Sequence, residues 1–434
     1  MRIAVHTLGC KLNYSETSRL CDDLLSHGHT IVPFDSEADA IILNTCSVTE
    51  QADVECRKLV RRGRRTSPDA AVIVTGCYAQ LKPDEISAID GVRAVIGTAH
   101  KFSIADRIES LVTAEEVVVD ADEIADDVLF QPSRTHRTAS RTRTFFKIQD
   151  GCDYSCSFCT IPKARGSARS MMRDDVRREV DRIVADGYRE VILSGVNLGE
   201  YRDAEDTRFV DVLRMIDEDV PPFRLRISSI EPNTVTSELI DVIAASSSIV
   251  PHLHIPLQSG SAGVLRRMRR RYTVDYYRSL VNVLHERLPG LALGIDVIVG
   301  FPGETEQEFE ETYAFLEDAQ WSYLHVFTYS ERDDTVAATM EQQVDRGVRR
   351  MRTQRLRTLS EWKHARFIDA KIGSIAQVLP ESYDPLTQMW RGWSEHHVAV
   401  SFAGEPDQVK MIYNVRLTER IDQEARGIRI GDDE

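Results

Sequence analysis

Six of the eight cysteines in this 434-residue chain fall into two patterns that invite metal chemistry. Cys152, Cys156 and Cys159 form C-x3-C-x2-C directly after Lys147-Ile-Gln-Asp-Gly. Iron–sulfur clusters are held by cysteine thiolates, usually four. Three closely spaced thiolates can hold three irons of a [4Fe–4S] cluster and leave the fourth iron open to an exchangeable ligand. Structural zinc sites usually supply four protein ligands. No fourth Cys or His stands close in sequence, the nearest upstream histidine being His136. A cluster is the better reading and zinc the alternative.

Cys10, Cys46 and Cys77 are far apart in sequence, yet each closes the same kind of segment: Thr7-Leu-Gly-Cys10, Asn44-Thr-Cys46 and Thr75-Gly-Cys77. In an open parallel sheet the carboxyl ends of the strands form the ligand crevice. Three cysteines at equivalent strand ends therefore converge. The alternative is three separately buried thiols, since free cysteine is commonly buried. Cys21 and Cys56 lie in helical stretches and read as packing residues.

The elements that must position these groups follow from the hydrophobic pattern. Ile3–Leu8, Ala40–Asn44 and Ala71–Thr75 are short, β-branched runs separated by helical stretches such as Ser15–Ser26 and Thr49–Arg65. Strands alternating with helices imply parallel βαβ units, here an N-terminal open parallel α/β sheet over residues 1–110. Residues 111–143 turn acidic, then rich in Arg and Thr, and read as a linker. From 144 to 368 the alternation resumes with strands at Thr144–Ile148, Glu190–Leu193, Arg224–Ile227, His252–Ile255, Leu293–Val299 and Tyr323–Phe327. Six βα units in a row predict a partial (βα)6 barrel. Active sites gather at the C-terminal face of such a barrel, where the Cys152 loop falls. Arg173–Ala185 reads as a helix closed by Gly187, and Thr305 with Glu308 as a capping box. A long basic helix over Val344–Asp369 precedes short strands in 369–434, a small all-β domain. The fold class is α/β with that C-terminal β-barrel.

The formal net charge of -15 argues against nucleic acid as a uniform partner, because phosphate contacts need Lys and Arg. Basic residues nevertheless cluster at Arg57–Arg65, Arg134–Arg143, Lys163–Arg173 and Arg266–Arg271. Such runs are either RNA-facing patches or solvated helix faces. No apolar run approaches the ~18 residues of a membrane span. The N-terminus reads straight into a strand rather than a signal peptide, which predicts a cytoplasmic protein with reduced thiols.

These motifs resemble the methylthiotransferases of the radical S-adenosylmethionine (SAM) superfamily along nearly the whole chain. The resemblance is carried by Thr7-Leu-Gly-Cys10-Lys-Leu-Asn, Asn44-Thr-Cys46, Thr75-Gly-Cys77-Tyr-Ala-Gln and Asp150-Gly-Cys152-x-x-x-Cys156-x-x-Cys159. It continues in Ser194-Gly-Val-Asn197, Ser228-Ser-Ile-Glu231-Pro, His254-Ile-Pro-Leu-Gln258-Ser-Gly-Ser and Asp296-x-Ile-x-Gly300-Phe-Pro-Gly303-Glu304-Thr.

The resemblance implies two [4Fe–4S] clusters. The one on Cys152, Cys156 and Cys159 would bind and reduce SAM, giving methionine and a 5′-deoxyadenosyl radical. The one on Cys10, Cys46 and Cys77 would carry sulfur that a second SAM methylates. A methylthio group would then replace hydrogen on an unactivated carbon. Asn197, Glu231, Gln258 and Gly300 fall in motifs near bound SAM, with Gly303 beside them. An electron donor of flavodoxin or ferredoxin type, a tRNA substrate and a monomeric state are also implied. Of the family's branches, the one modifying N6-threonylcarbamoyladenosine at tRNA position 37 is the most similar. The alternatives are N6-isopentenyladenosine 37 and a ribosomal-protein aspartate. Arg165 and Arg169 are candidates for meeting a substrate carboxylate. The C-terminal piece resembles the RNA-binding TRAM barrel loosely, with Trp390 and Trp393 either stacking on bases or filling its core. An iron–sulfur electron carrier and a zinc-dependent RNA-binding module are rival classes.

Overall fold

The computed structural model describes residues 1–47, 50–125, 128–135, 142–219, 223–406 and 411–431. The N-terminal layer comprises β1 (Arg2–Thr7), α1 (Lys11–Ser26), β2 (Thr30–Val32), β3 (Ala40–Thr45), α2 (Glu50–Thr66), β4 (Ala71–Gly76), α3 (Cys77–Leu81), α4 (Pro83–Ser87), β5 (Val92–Ile96), α5 (Ile104–Thr113) and β6 (Val118–Asp120). Its six strands are all parallel, in the order β2-β1-β3-β4-β5-β6. The central strands β3 and β4 are buried at every position, which is why each opens on a continuous apolar run.

The second layer follows with β7 (Ser133–Arg134), β8 (Arg143–Lys147), β9 (Gln149–Asp150), α6 (Ile161–Arg165), β10 (Arg169–Ser170), α7 (Arg173–Ala185), β11 (Glu190–Ser194), α8 (Phe209–Asp219), β12 (Arg224–Ile227), α9 (Ser237–Ala245), β13 (His252–His254), α10 (Ala262–Arg267), α11 (Val274–Arg287), β14 (Ala292–Val299), α12 (Glu306–Asp318), β15 (Tyr323–Thr328) and α13 (Arg346–Asp369). Strands β8, β11 and β12 are parallel neighbours, as are β13, β14 and β15. Parallel bridges Leu225–Ile249 and Ser229–His254 join the two sheets. The six strands thus curve into an open barrel, as the alternation predicts. Helix α7 buries Val176, Val180 and Ile183. Thr305 and Glu308 form the expected capping box on α12.

Strands β16 (Ile375–Asp384), β17 (Met389–Ser394), β18 (Ala399–Ala403), β19 (Tyr413–Ile421) and β20 (Glu424–Arg429) close a small barrel in the order β16-β17-β18-β20-β19. It caps the floor of the larger one. Arg224 at the start of β12 donates to the Gln377 carbonyl at 2.6 Å, and Arg226 donates to the Ser394 and Glu395 carbonyls. Both arginines pair with Glu190. Trp390 lies in the small barrel's core and donates to the Glu405 carbonyl. Trp393 stacks on His397 with centroids 4.6 Å apart and donates to Glu381. Neither is free to stack on a base.

The boundaries differ from the sequence reading. Helix α5 runs past residue 110, and β6 pairs with β5 because Val118 and Val119 complete the sheet edge. Strand β7 pairs antiparallel with β8. Only part of 111–143 is therefore a linker. Residues 136–141, most of the Arg134–Arg143 basic run, and Thr49 lie outside the described residues. No helix of the described residues is long and apolar enough to cross a membrane.

Candidate metal and ligand centre

Cys10, Cys46 and Cys77 sit just beyond β1, β3 and β4, three adjacent parallel strands. Two glycines make the convergence possible. Gly9 has φ +105, and a Cβ there would lie 2.5 Å from the Cys46 Cβ. Gly76 has φ +98, and its Cβ would meet the Thr45 carbonyl oxygen at 2.4 Å. Only glycine takes this backbone without strain and leaves room for the neighbouring loop. Asn13 staples two of the loops, its Nδ2 donating to the Leu8 carbonyl at 2.8 Å and the Thr45 carbonyl at 3.0 Å.

Cys152, Cys156 and Cys159 occupy the loop after β8 and β9, at the carboxyl end of the barrel. Gln149 organises it, donating to the Gly151 carbonyl at 2.8 Å and accepting from the Asn197 backbone at 2.8 Å. The Tyr154 and Ile161 amides donate to the Cys152 and Cys159 sulfurs, each at 3.4 Å. Arg270 donates to the Cys156 sulfur at 3.0 Å and pairs with Glu231. Burial pushes all three thiols up, Cys159 to about 12, while Arg270 pulls Cys156 the other way. Burial also raises Cys77, against the pull of Arg165 and Lys101. Metal binding at such thiols must expel their protons.

Among the described residues, neither trio gathers its three sulfurs within 4.8 Å of one another, whereas His254, Asp296 and His325 do bring their ligand atoms that close. Ligands of a single ion crowd together; thiolates bound to separate irons of a cluster stand wider. The amide and guanidinium donors aimed at the sulfurs of Cys152, Cys156 and Cys159 fit iron–sulfur chemistry.

Cys77 and Cys159 lie at elements that meet. Helix α3 starts at Cys77, α6 starts two residues after Cys159, and the two helices pack together. Behind them lies a buried charge cluster. Glu16 meets Lys101 at 2.5 Å, Lys147 at 3.0 Å and Arg165 at 2.9 Å. Asp150 meets Lys147 at 3.1 Å and Arg165 at 2.9 Å, and Arg165 also donates to Asn13 at 2.7 Å. Arg165 is 1% exposed. The expectation that it meets substrate is corrected: its guanidinium is committed to the seam between layers. Arg169 is likewise engaged, with Asp150 and the Arg165 carbonyl.

The other expected positions divide. Asn197 is buried beside Glu200, its side-chain amide close enough to favour that residue's carboxylate. Gln258, at φ +64, shares a cavity of about 210 Å³ with Cys159, Asp296 and Phe327. Glu231 reaches the trio through Arg270. Gly300 serves another purpose. A Cβ on it would stand 2.3 Å from the Arg349 side chain, and its amide donates to Glu304 at 2.6 Å. Its turn makes room for packing against α13.

The barrel lumen holds groups that the sequence reading passed over. Asp296 accepts from His254 at 2.9 Å and His325 at 3.0 Å. Burial pushes the Asp296 carboxyl up, but the two imidazoles outweigh it and hold it below the usual range. Lys11, next to Cys10, enters the same space, near enough to feel Arg226, Arg143, Glu190 and Asp296. Asn13, Lys11, His254 and Asp296 all stood inside the quoted motifs; Arg270 stood in a basic run with nothing to single it out.

The Radical SAM superfamily matches residues 146–316, and the uncharacterized protein family UPF0004 matches residues 2–97. The threonylcarbamoyladenosine tRNA methylthiotransferase MtaB of Bacillus subtilis is 40% identical over 420 residues, covering 96% of this chain and 93% of its own. A tRNA-2-methylthio-N(6)-dimethylallyladenosine synthase of Staphylococcus haemolyticus is 30% identical, covering 96% and 82%. The radical SAM methyltransferase TsrM of Kitasatospora setae is similar in structure, with TM-score 0.56, 17% identity and coverage of 75% and 72%; that likeness is one of fold alone. The two matched families, the barrel with its cysteine loop and the full-length relatives agree: the chain belongs to the radical SAM methylthiotransferase family, the family of these tRNA-modifying relatives.

Proposed function

We propose that the protein replaces the C2 hydrogen of N6-threonylcarbamoyladenosine 37 in tRNA with a methylthio group. The observation that supports two-site chemistry is the packing of α3, which starts at Cys77, against α6, which starts two residues after Cys159. The substrate branch rests on the higher identity to the threonylcarbamoyl relative, 40% against 30%.

Cys152, Cys156 and Cys159 would hold one [4Fe–4S] cluster, and Cys10, Cys46 and Cys77 a second. With SAM and an external electron donor, such clusters supply radical generation at the first site and sulfur transfer at the second. The chain's own residues do the positioning. Arg270 donates to the Cys156 sulfur and braces Glu231. Asn197 and Glu200, side by side near Cys152, would meet a polar ligand. Glu16, Asp150, Lys147, Lys101 and Arg165 fix one trio relative to the other.

The test is anaerobic reconstitution with iron and sulfide, then incubation with reductant, SAM and an anticodon stem-loop RNA carrying N6-threonylcarbamoyladenosine. Nucleoside mass spectrometry should find its 2-methylthio form, with 5′-deoxyadenosine released. Product only from the isopentenyl RNA would overturn the substrate assignment. Zinc in place of iron would overturn the chemistry.

A further inference from the structure

The barrel lumen contains one cation with no partner among the described residues. Lys11 makes no hydrogen bond or ion pair there, although it is the first residue of α1 and directly follows Cys10. Solvent reaches it, yet it lies within electrostatic reach of Arg226, Arg143, Glu190 and Asp296, and of His252 and His397. It is thus an exposed cation beside Cys10 that faces the charged groups of the barrel.

The acids that could have neutralised it are taken. Glu190 is paired with both Arg224 and Arg226, and Asp296 accepts from His254 and His325. Arg143 is paired with Glu381. No acidic residue occupies the first turn of α1, so the positive end of that helix adds to the field. An ammonium has three donors and no acceptor, and an unpaired one here selects an anion.

The chemistry of the substrate proposed above supplies one. C2 and N6 flank N1 on the same edge of adenine. A base whose C2 faces the Cys10, Cys46 and Cys77 site presents N6 on that same edge, and the rotamer that turns the substituent toward N1 brings it to that side. The threonylcarbamoyl group carries a carboxylate; an isopentenyl group carries none.

We propose that Lys11 reads the carboxylate of the N6-threonylcarbamoyl group and is the specificity-determining residue of this enzyme. The inference rests on the substrate assignment under Proposed function. A charge-assisted hydrogen bond in such a site separates acid from uncharged analogue by roughly 10- to 100-fold.

The experiment compares anticodon stem-loop RNAs carrying the threonylcarbamoyl acid, its methyl ester, or unmodified adenine. Binding by fluorescence anisotropy and methylthiolation kcat/KM are measured for the full-length reconstituted wild type, Lys11→Gln and Lys11→Arg, with iron per chain as the control. The wild type should prefer acid over ester by that factor. Lys11→Gln should bring the ratio near one through the acid RNA's KM with iron unchanged, and Lys11→Arg should restore part of it. A wild-type ratio near one, or an undiminished ratio in Lys11→Gln, overturns the inference while the substrate assignment stands. No product from the acid RNA with wild type overturns the assignment itself, and this inference with it.

Discussion

Glu16→Gln is the substitution whose outcome the structure specifies most fully. Glu16 is buried against three cations, Lys101 from the N-terminal layer and Lys147 and Arg165 from the barrel. Burial alone pushes its carboxyl up, but Arg165, Lys101 and Lys147 together hold it well below the usual range. The amide keeps the shape and removes the charge. Lys147 and Arg165 then keep Asp150 as their ion-pair partner, and Lys101 loses the pair it had. Breaking one buried ion pair by removing a partner costs about 3–5 kcal/mol. At about 2–4 °C per kcal/mol for a unit of this size, the melting temperature should fall by about 6–20 °C. Because the cluster spans both layers, limited proteolysis should also open the seam between them. Adding Arg165→Gln should recover part of the loss, since the second change removes a stranded charge. The assay is thermal unfolding of the metal-free chain by circular dichroism at pH 7.5. A shift under about 2 °C, the size of an ordinary surface substitution, would refute the reasoning.

Two further outcomes follow from the same geometry. Gly76→Ala places a Cβ 2.4 Å from the Thr45 carbonyl oxygen at a positive φ, forcing apart the loops that carry Cys46 and Cys77. Iron per chain should drop by about half, with reductive SAM cleavage retained at the other trio; full iron content would contradict the assignment of Cys77. The second concerns pH. Burial depresses His252, His397 and, to about 4, His396, which neighbours Lys371, Glu395 and Arg226. These imidazoles are neutral in the fold but take up protons in the unfolded chain below their ordinary value of 6.5. Stability is thus intact above pH 6.5 and declines as pH falls toward 4, by up to about 1.4 kcal/mol per pH unit for each imidazole. Urea midpoints at pH 7.5 and 5 check this, and His396→Gln should flatten the decline; equal midpoints in the wild type would disprove it.

The architecture was legible where burial is two-sided or periodic. Ala40–Thr45 and Ala71–Gly76 open on apolar runs and are buried throughout because they are central parallel strands, and α7 carries its buried face at helical spacing. Strands β2, β6, β7, β17 and β20 leave no such pattern. They are short or edge elements, or, as in Met-Trp-Arg-Gly-Trp-Ser of β17, mix polar and aromatic residues because one face is solvated. Their pairing comes from neighbours distant in sequence.

The chain's order of residues determined by itself that two sets of three thiols follow parallel strands, since cysteine type, spacing and strand-end glycines are local facts. Which charges those thiols meet was decided by tertiary structure alone. Arg165 looks like a surface cation until Glu16, 149 residues away, is folded against it. Gly300 looks like a ligand turn until Arg349 fills the space beside it. Lys11 looks like any helix-start lysine until Arg226 and Asp296 of the barrel are folded within electrostatic reach of it. Coulomb energies depend on separation in space and on the surrounding dielectric, and neither can be read along a chain.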